Sequence, residues 1–123
     1  MILTADIKVG ETRYFENDGW NGKTLVPLPD APPNMVLQIW TCRQHPDYGG
    51  ALVTNALCME KQGDYLYYSL RGCFSRRVLE THPERVTEQL VRAQHERACT
   101  LLDELVRYAT AHCHFQAAQA RAV

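Results

Sequence analysis

Hydrophobic spacing divides the chain into two unequal parts. Toward the C-terminus apolar positions recur every three or four residues: Val86, Leu90, Val91, Ala98, Leu101, Leu102, Leu105, Val106 and Ala109. That period lines one side of an α-helix. Arg85, Glu88, Gln89, Arg92, Glu96, Asp103 and Arg107 fill the other side, with Glu88–Arg92 and Asp103–Arg107 in the favourable i,i+4 order. Thr81-His82-Pro83-Glu84 has the form of a capping box, with proline in the first turn where its missing N–H costs little. The spacing therefore predicts one long helix over residues 81–115 and an Ala/Gln-rich tail over 116–123.

The first two-thirds reads differently. All seven glycines and all six prolines lie between Gly10 and Pro83. Both residue types interrupt regular structure, so this region should be short strands joined by turns. Met35–Arg43 (Met-Val-Leu-Gln-Ile-Trp-Thr-Cys-Arg) is the strongest strand. Ala51–Lys61 and Asp64–Arg71 read as a hairpin about Gln62-Gly63. That register sets Met59 opposite Leu66 and Leu57 opposite Tyr68, with Cys58–Tyr67, Ala56–Ser69 and Thr54–Arg71 on the other face. A further strand is expected over Cys73–Leu79, and two more over Ile7–Val9 and Thr12–Glu16, the latter turning at Asn17-Asp18-Gly19. Pro27, Pro29, Pro32 and Pro33 hold the next stretch extended. The fold class is α+β: one domain over 1–123, with an antiparallel sheet of about four to six strands over 1–80 packed on the long C-terminal helix.

Length then bears on assembly. A helix over residues 82–114 would run about 45–50 Å at ~1.5 Å per residue, whereas an eight-residue strand covers about 26 Å. Cys99, Val106 and Cys113 also widen the apolar stripe, and a wide stripe implies burial on two sides. Either the helix breaks near Ala109–His112 or its overhang packs on a second copy. The second alternative makes a homodimer through the C-terminal helix the expected assembly.

Composition narrows the class of protein without identifying it. The chain has 123 residues, 46% hydrophobic and 22% charged, within the ordinary globular range. A net charge of −1 offers no general electrostatic reason for nucleic acid or an anionic membrane as partner. No run of about 18 apolar residues is present to span a bilayer, and Met1-Ile2-Leu3-Thr4-Ala5-Asp6 lacks the basic start of a signal peptide. Five scattered cysteines without a C-x-x-C fit reduced thiols, so a cytoplasmic location is expected.

Candidate chemistry gathers around the end of the strongest strand. Cys42, His45 and Asp47 place a thiol, an imidazole and a carboxylate within six residues, the parts of an activated nucleophile, with Arg43 as a helper. Residues so close on one turn seldom converge, however, and a polar turn with Asp47 capping local N–H groups and Gly49-Gly50 giving freedom explains the same letters. His95 and Cys99 sit at i,i+4, a spacing that can share a metal; a surface His95 beside a buried Cys99 is the simpler account. Neither a metal nor any other cofactor is expected. Arg71, Arg76 and Arg77 alternate with Phe74 near Tyr65 and Tyr67, a pattern that can hold an anion or simply cover an exposed sheet.

Six tyrosines and two tryptophans point to binding rather than catalysis. The leading expectation is a non-enzymatic binding module offering an aromatic-rich sheet face or pocket to a small molecule, with Trp40, Arg43, Tyr48, Tyr65, Tyr67 and Arg71 as ligand-binding candidates. Two alternatives stand beside it. One is a protein-interaction role of the inhibitor or immunity type, carried on a phage, plasmid or integron-type mobile element. The other is a small hydrolase or transferase built on Cys42, His45 and Asp47.

Overall fold

Met35–Arg43 forms the predicted strand residue for residue; it is buried on both sides from Met35 to Ile39 and opens toward its end at Trp40, Cys42 and Arg43. The structure is a computed structural model that describes residues 2–3, 7–29, 34–63, 65–68 and 74–122. Among the described residues, seven strands make one antiparallel sheet. They are β1 (Ile2–Leu3), β2 (Thr12–Glu16), β3 (Trp20–Pro27), β4 (Met35–Arg43), β5 (Leu52–Gln62), β6 (Tyr65–Tyr68) and β7 (Ser75–Thr81). Two helices follow, α1 (Glu88–Cys99) and α2 (Leu102–Ala122). The sheet runs β1-β6-β5-β4-β3-β2, and β7 shares an edge of β5 with β6. β7 takes the Leu52–Leu57 half of that edge, and β6 takes Met59–Gln62. No helix among the described residues is long and apolar enough to cross a membrane.

The predicted hairpin is present with its register moved by two residues. Gln62 closes on Tyr65, so Lys61 faces Leu66 and Met59 faces Tyr68. Gly63, at φ 61°, begins the two-residue turn, where a left-handed backbone suits the twist of the flanking strands. A shift of two preserves the face of every side chain. Ser69 and Arg71 lie outside the described residues. Ala56 pairs with Arg76 across to β7, which starts two residues later than expected and ends at Thr81. Ile7–Val9 is not a strand; Ile7 is buried, and the chain turns at Val9-Gly10.

The C-terminal prediction needs correction at three points. Thr81 is a strand residue, and the helix starts later, capped by the Thr87 hydroxyl accepting from the Leu90 N–H at 3.2 Å. The single long helix is two helices. The interruption is not at Ala109–His112 but at Thr100–Leu101, where the Leu101 N–H bonds the Ala98 carbonyl one residue too early for an α-helix. Thr100 supplies the cause: its hydroxyl donates to the Arg97 carbonyl at 2.6 Å, drawing that group from the helical ladder. The expected dimer accordingly loses the premise of one unbroken rod.

Alternation gives each face its own core. Met35, Leu37 and Ile39 of β4, with Ala56 and Cys58 of β5, join Leu28, Ala98 of α1, and Leu105 and Ala109 of α2. The helix-free face carries a smaller cluster of Ile7, Leu25, Val36, Met59 and Leu66. Arg76 lies over the Tyr108 ring at 4.8 Å, and Phe74 stands 5.8 Å from His112, holding α2 to the β7 side.

A polar seam locks α1 to the sheet beside the larger core. His95, read from sequence as a surface residue, is wholly buried. Its Nε2 lies 2.8 Å from the Thr24 hydroxyl and its Nδ1 2.8 Å from that of Thr41. Thr24 meets Thr12 at 2.7 Å, and Thr41 meets Thr54 at 2.7 Å. Gln94 donates to Thr54 at 3.2 Å and to the Leu52 carbonyl at 3.0 Å, while accepting from Thr81 at 2.6 Å. Five strands and α1 thus share one hydrogen-bond path. Gly22 makes room for it, because a Cβ there would stand 2.9 Å from Tyr14 Cε1 and 3.0 Å from His95 Cγ.

Two stability predictions arise here. Burial pushes His95 down to about 4, against about 6.5 in an unfolded chain. Between those values the unfolded state binds a proton that the folded state refuses, so stability is complete above the unfolded value and lost as pH falls. Lowering pH from 7.5 to 5 should remove about 2 kcal/mol through this one residue. Urea midpoints across that range test it, and an equal loss in a folded His95→Asn variant would reject the assignment. Separately, Gln38 is fully buried on the helix-free face, and neither of its amide atoms is hydrogen-bonded among the described residues. Gln38→Met should raise the unfolding free energy by about 1–2 kcal/mol, since each stranded polar atom carries its desolvation cost; a loss of stability would show that the amide is satisfied in solution.

Candidate functional site

Strand register assembles a row of side chains on the helix-free face that linear sequence keeps far apart. Arg13 on β2 pairs with Lys23 on β3, Lys23 with Trp40 on β4, Trp40 with Asn55 on β5, and Asn55 with Arg77 on β7. Directly opposed residues point to the same side of a sheet. Five strands therefore contribute one residue each to a band of three cations, one indole and one amide.

The β2–β3 hairpin holds one end of the row. Asp18 and Gly19 adopt positive φ, and the turn is tied by Asn21, whose amide nitrogen donates to the carbonyls of Asn17 at 3.0 Å and Gly19 at 2.9 Å. The Asn21 carbonyl oxygen accepts from the Trp40 indole N–H at 3.0 Å, fixing the plane of that ring. At the far end the Arg77 Nε donates to the Asn55 oxygen at 2.8 Å, and the same guanidinium bonds Glu80. Glu80 also meets His82 at 3.1 Å.

Lys23 is the unusual member. It is 3% exposed, whereas lysines are almost never buried without a partner. Its ammonium lies 4.4 Å from the Trp40 ring centroid and 5.7 Å from that of Phe15. Burial pushes its pKa down to about 8, slightly opposed by Cys42. Among the described residues no carboxylate or hydrogen-bond acceptor is bonded to the ammonium; its neighbours are the two aromatic faces and the Cys42 thiol.

The residues singled out from sequence separate across the fold. Trp40 and Cys42 lie on the helix-free face. Tyr65 and Tyr67, 6.5 Å apart by ring centroids, oppose Gln62 and Glu60 and so point to the helix side. Arg43 ends β4 beside Gly50, a backbone position in the following loop. His45 and Asp47 belong to a 3₁₀ turn over Pro46–Tyr48, where His45 Nδ1 accepts from the Asp47 N–H at 3.2 Å and stands 3.4 Å from its carboxylate. The two are 65% and 83% exposed. The Tyr48 side chain and Arg71 are outside what the structure describes. Cys99 is half-buried, and among the described residues no group of three or more metal-binding side chains converges.

Cys42 therefore shares its surroundings with Lys23 and Arg77. Burial pushes its thiol pKa up, and the two cations only partly offset that. A catalytic thiol needs the opposite shift. Sequence reasoning passed over Lys23, Asn55 and the Arg77 pairing. One signal was present: in Trp20–Pro27, alternation puts Lys23 on the same side as Leu25, an apolar position.

No family model matches the chain, and neither a curated protein nor a solved structure resembles it.

The thiol environment makes a direct prediction. At pH 7.5 Cys42 should react with iodoacetamide more slowly than free cysteine, by about tenfold or more, because its thiolate is disfavoured. Peptide mapping of the alkylated protein reads this, and preferential labelling of Cys42 would restore the nucleophile alternative.

Proposed function

We propose that this protein is a non-catalytic binding module that presents the helix-free face of its sheet to a small planar molecule. The cross-strand row from Arg13 to Arg77 carries the reading. Trp40 sits at its centre with its indole N–H anchored by Asn21, so the ring is a rigid platform. Rigid aromatic surfaces flanked by a few oriented polar groups are the usual make-up of small-ligand sites. The other face is spent on packing α1 and α2. The raised thiol of Cys42 and the pairing of His45 with Asp47 in a separate turn favour binding over hydrolysis or group transfer.

Thermal shift against a panel of nucleobases, aromatic acids, aromatic amines and nucleotides tests the proposal. A ligand at one hundred times its Kd should stabilise by about 2.7 kcal/mol, worth several degrees in a domain of this size. Trp40→Leu should abolish that shift while circular dichroism shows a retained fold, and Tyr65→Ser on the opposite face should not. A shift that survives Trp40→Leu would place the ligand elsewhere. No shift across the panel would overturn the reading in favour of a protein partner.

A further inference from the structure

We infer that the ligand is a small planar organic anion, a ring bearing a carboxylate or phosphate whose negative oxygens take their place on Lys23 between Trp40 and Phe15. The inference rests on the binding reading above and specifies its chemistry.

The first ground is the uncompensated cation. A buried ammonium is normally matched by a carboxylate or by acceptors for its three N–H groups. The Lys23 ammonium lies on ring faces at 4.4 and 5.7 Å, with no acceptor bonded to it among the described residues. Ring faces attract a cation but leave its N–H donors without oxygen partners. Charged groups on the neighbouring strands do not supply one. Arg13 opposes Lys23 on β2, Arg77 lies further along the row on β7, and Cys42 on β4 is a thiol held in its neutral form. The Glu80 carboxylate is bonded by Arg77, and that of Glu11 stands 3.8 Å from Arg13, an ion pair without a hydrogen bond.

The second ground is the direction of the polar groups. Two of the three amide oxygens on this face are turned inward, that of Asn21 to the Trp40 indole and that of Asn55 to Arg77. Indole and guanidinium N–H groups only donate, so these amide orientations are forced. What is left for a ligand is donors: the Lys23 ammonium, the Asn55 amide nitrogen and the remaining guanidinium N–H groups of Arg77. Within the row itself the free polar groups are donors, which match a ligand rich in acceptors; the Gln38 amide and the Glu11 carboxylate belong to the next row, beside Leu25. Trp40, between Lys23 and Asn55 in register, supplies the platform for the ring.

A consequence separates this from simple stacking. An anion favours the charged form of Lys23, so binding should take up protons where the free lysine titrates, near 8, and weaken above it. The probes are benzoate, phenyl phosphate, benzamide and inorganic phosphate, titrated by calorimetry and tryptophan fluorescence. Benzoate or phenyl phosphate should bind at least about tenfold tighter than benzamide at pH 7, and about tenfold weaker at pH 9 than at pH 7. Lys23→Met should reduce the anion-to-benzamide ratio to about one, and Lys23→Arg should keep it. If Lys23→Met does not fold, the pH profile of the unaltered protein decides. Equal binding of benzoate and benzamide, or a flat pH profile, overturns the anion while leaving the binding module. Inorganic phosphate binding as tightly as phenyl phosphate overturns the planar ring. No binding by any probe, together with an unresponsive thermal panel, overturns both.

Discussion

The architecture depends on one neutral imidazole held between two hydroxyls. His95 reaches from α1 to Thr24 on β3 and Thr41 on β4 at 2.8 Å each, and every other part of the polar seam hangs from that pair. Gln94 can only donate through its nitrogen, so a consistent hydrogen-bond direction runs from Gln94 through Thr54 and Thr41 to His95 and on to Thr24 and Thr12. The hydroxyls of Thr54, Thr41 and Thr24 then each accept once and donate once. The chain is satisfied only while His95 carries a single proton. Burial enforces that state by disfavouring the imidazolium.

With α1 docked there, the sheet has one committed face and one uncommitted face. The helix side closes over an apolar cluster drawn from β4, β5, α1 and α2. The other side has its own small apolar cluster at the β1–β6 end and the Lys23–Trp40–Asn55–Arg77 row beyond it. A sheet residue's face is set by parity alone, so one strand can serve both ends: Thr41 belongs to the structural seam, and Trp40 and Cys42 on either side of it belong to the proposed binding face. The internal bonds of the Trp40 row consume the Asn21 and Asn55 oxygens and leave the Asn55 and Arg77 nitrogens. Its character as a donor surface comes from the hydrogen-bonding pattern rather than from net charge, which is −1 for the whole chain.

Much of the fold was legible because local pattern and global structure agree. Met35–Arg43 and Thr12–Glu16 appear with their predicted bounds, and the turn at Asn17-Asp18-Gly19 shows the positive φ its composition implies. The β5–β6 hairpin kept each side chain's face while moving register by two, because periodicity constrains parity and the turn sets the count. The helix start was misplaced because Thr81 belongs to β7 and the cap falls to Thr87. Thr81 was drawn into the bond to Gln94, leaving Thr87 to cap. The break at Thr100 follows from a side-chain bond to Arg97 that apolar spacing cannot register.

By itself, then, the sequence determined an α+β chain, an antiparallel sheet ahead of C-terminal helical structure, and the side of the sheet on which each strand residue falls. These rest on periodicity and on glycine and proline placement, which act over a few residues. Tertiary structure alone decided that His95 is interior, that Cys42 keeps company with Lys23 rather than His45, and that Tyr65 and Tyr67 are parted from Trp40. It also decided that five strands bring Arg13, Lys23, Trp40, Asn55 and Arg77 into line. The physical reason is the same in each case: strand pairing joins residues tens of positions apart, and whether a polar side chain is buried, paired or left with unmet donors depends on those distant partners.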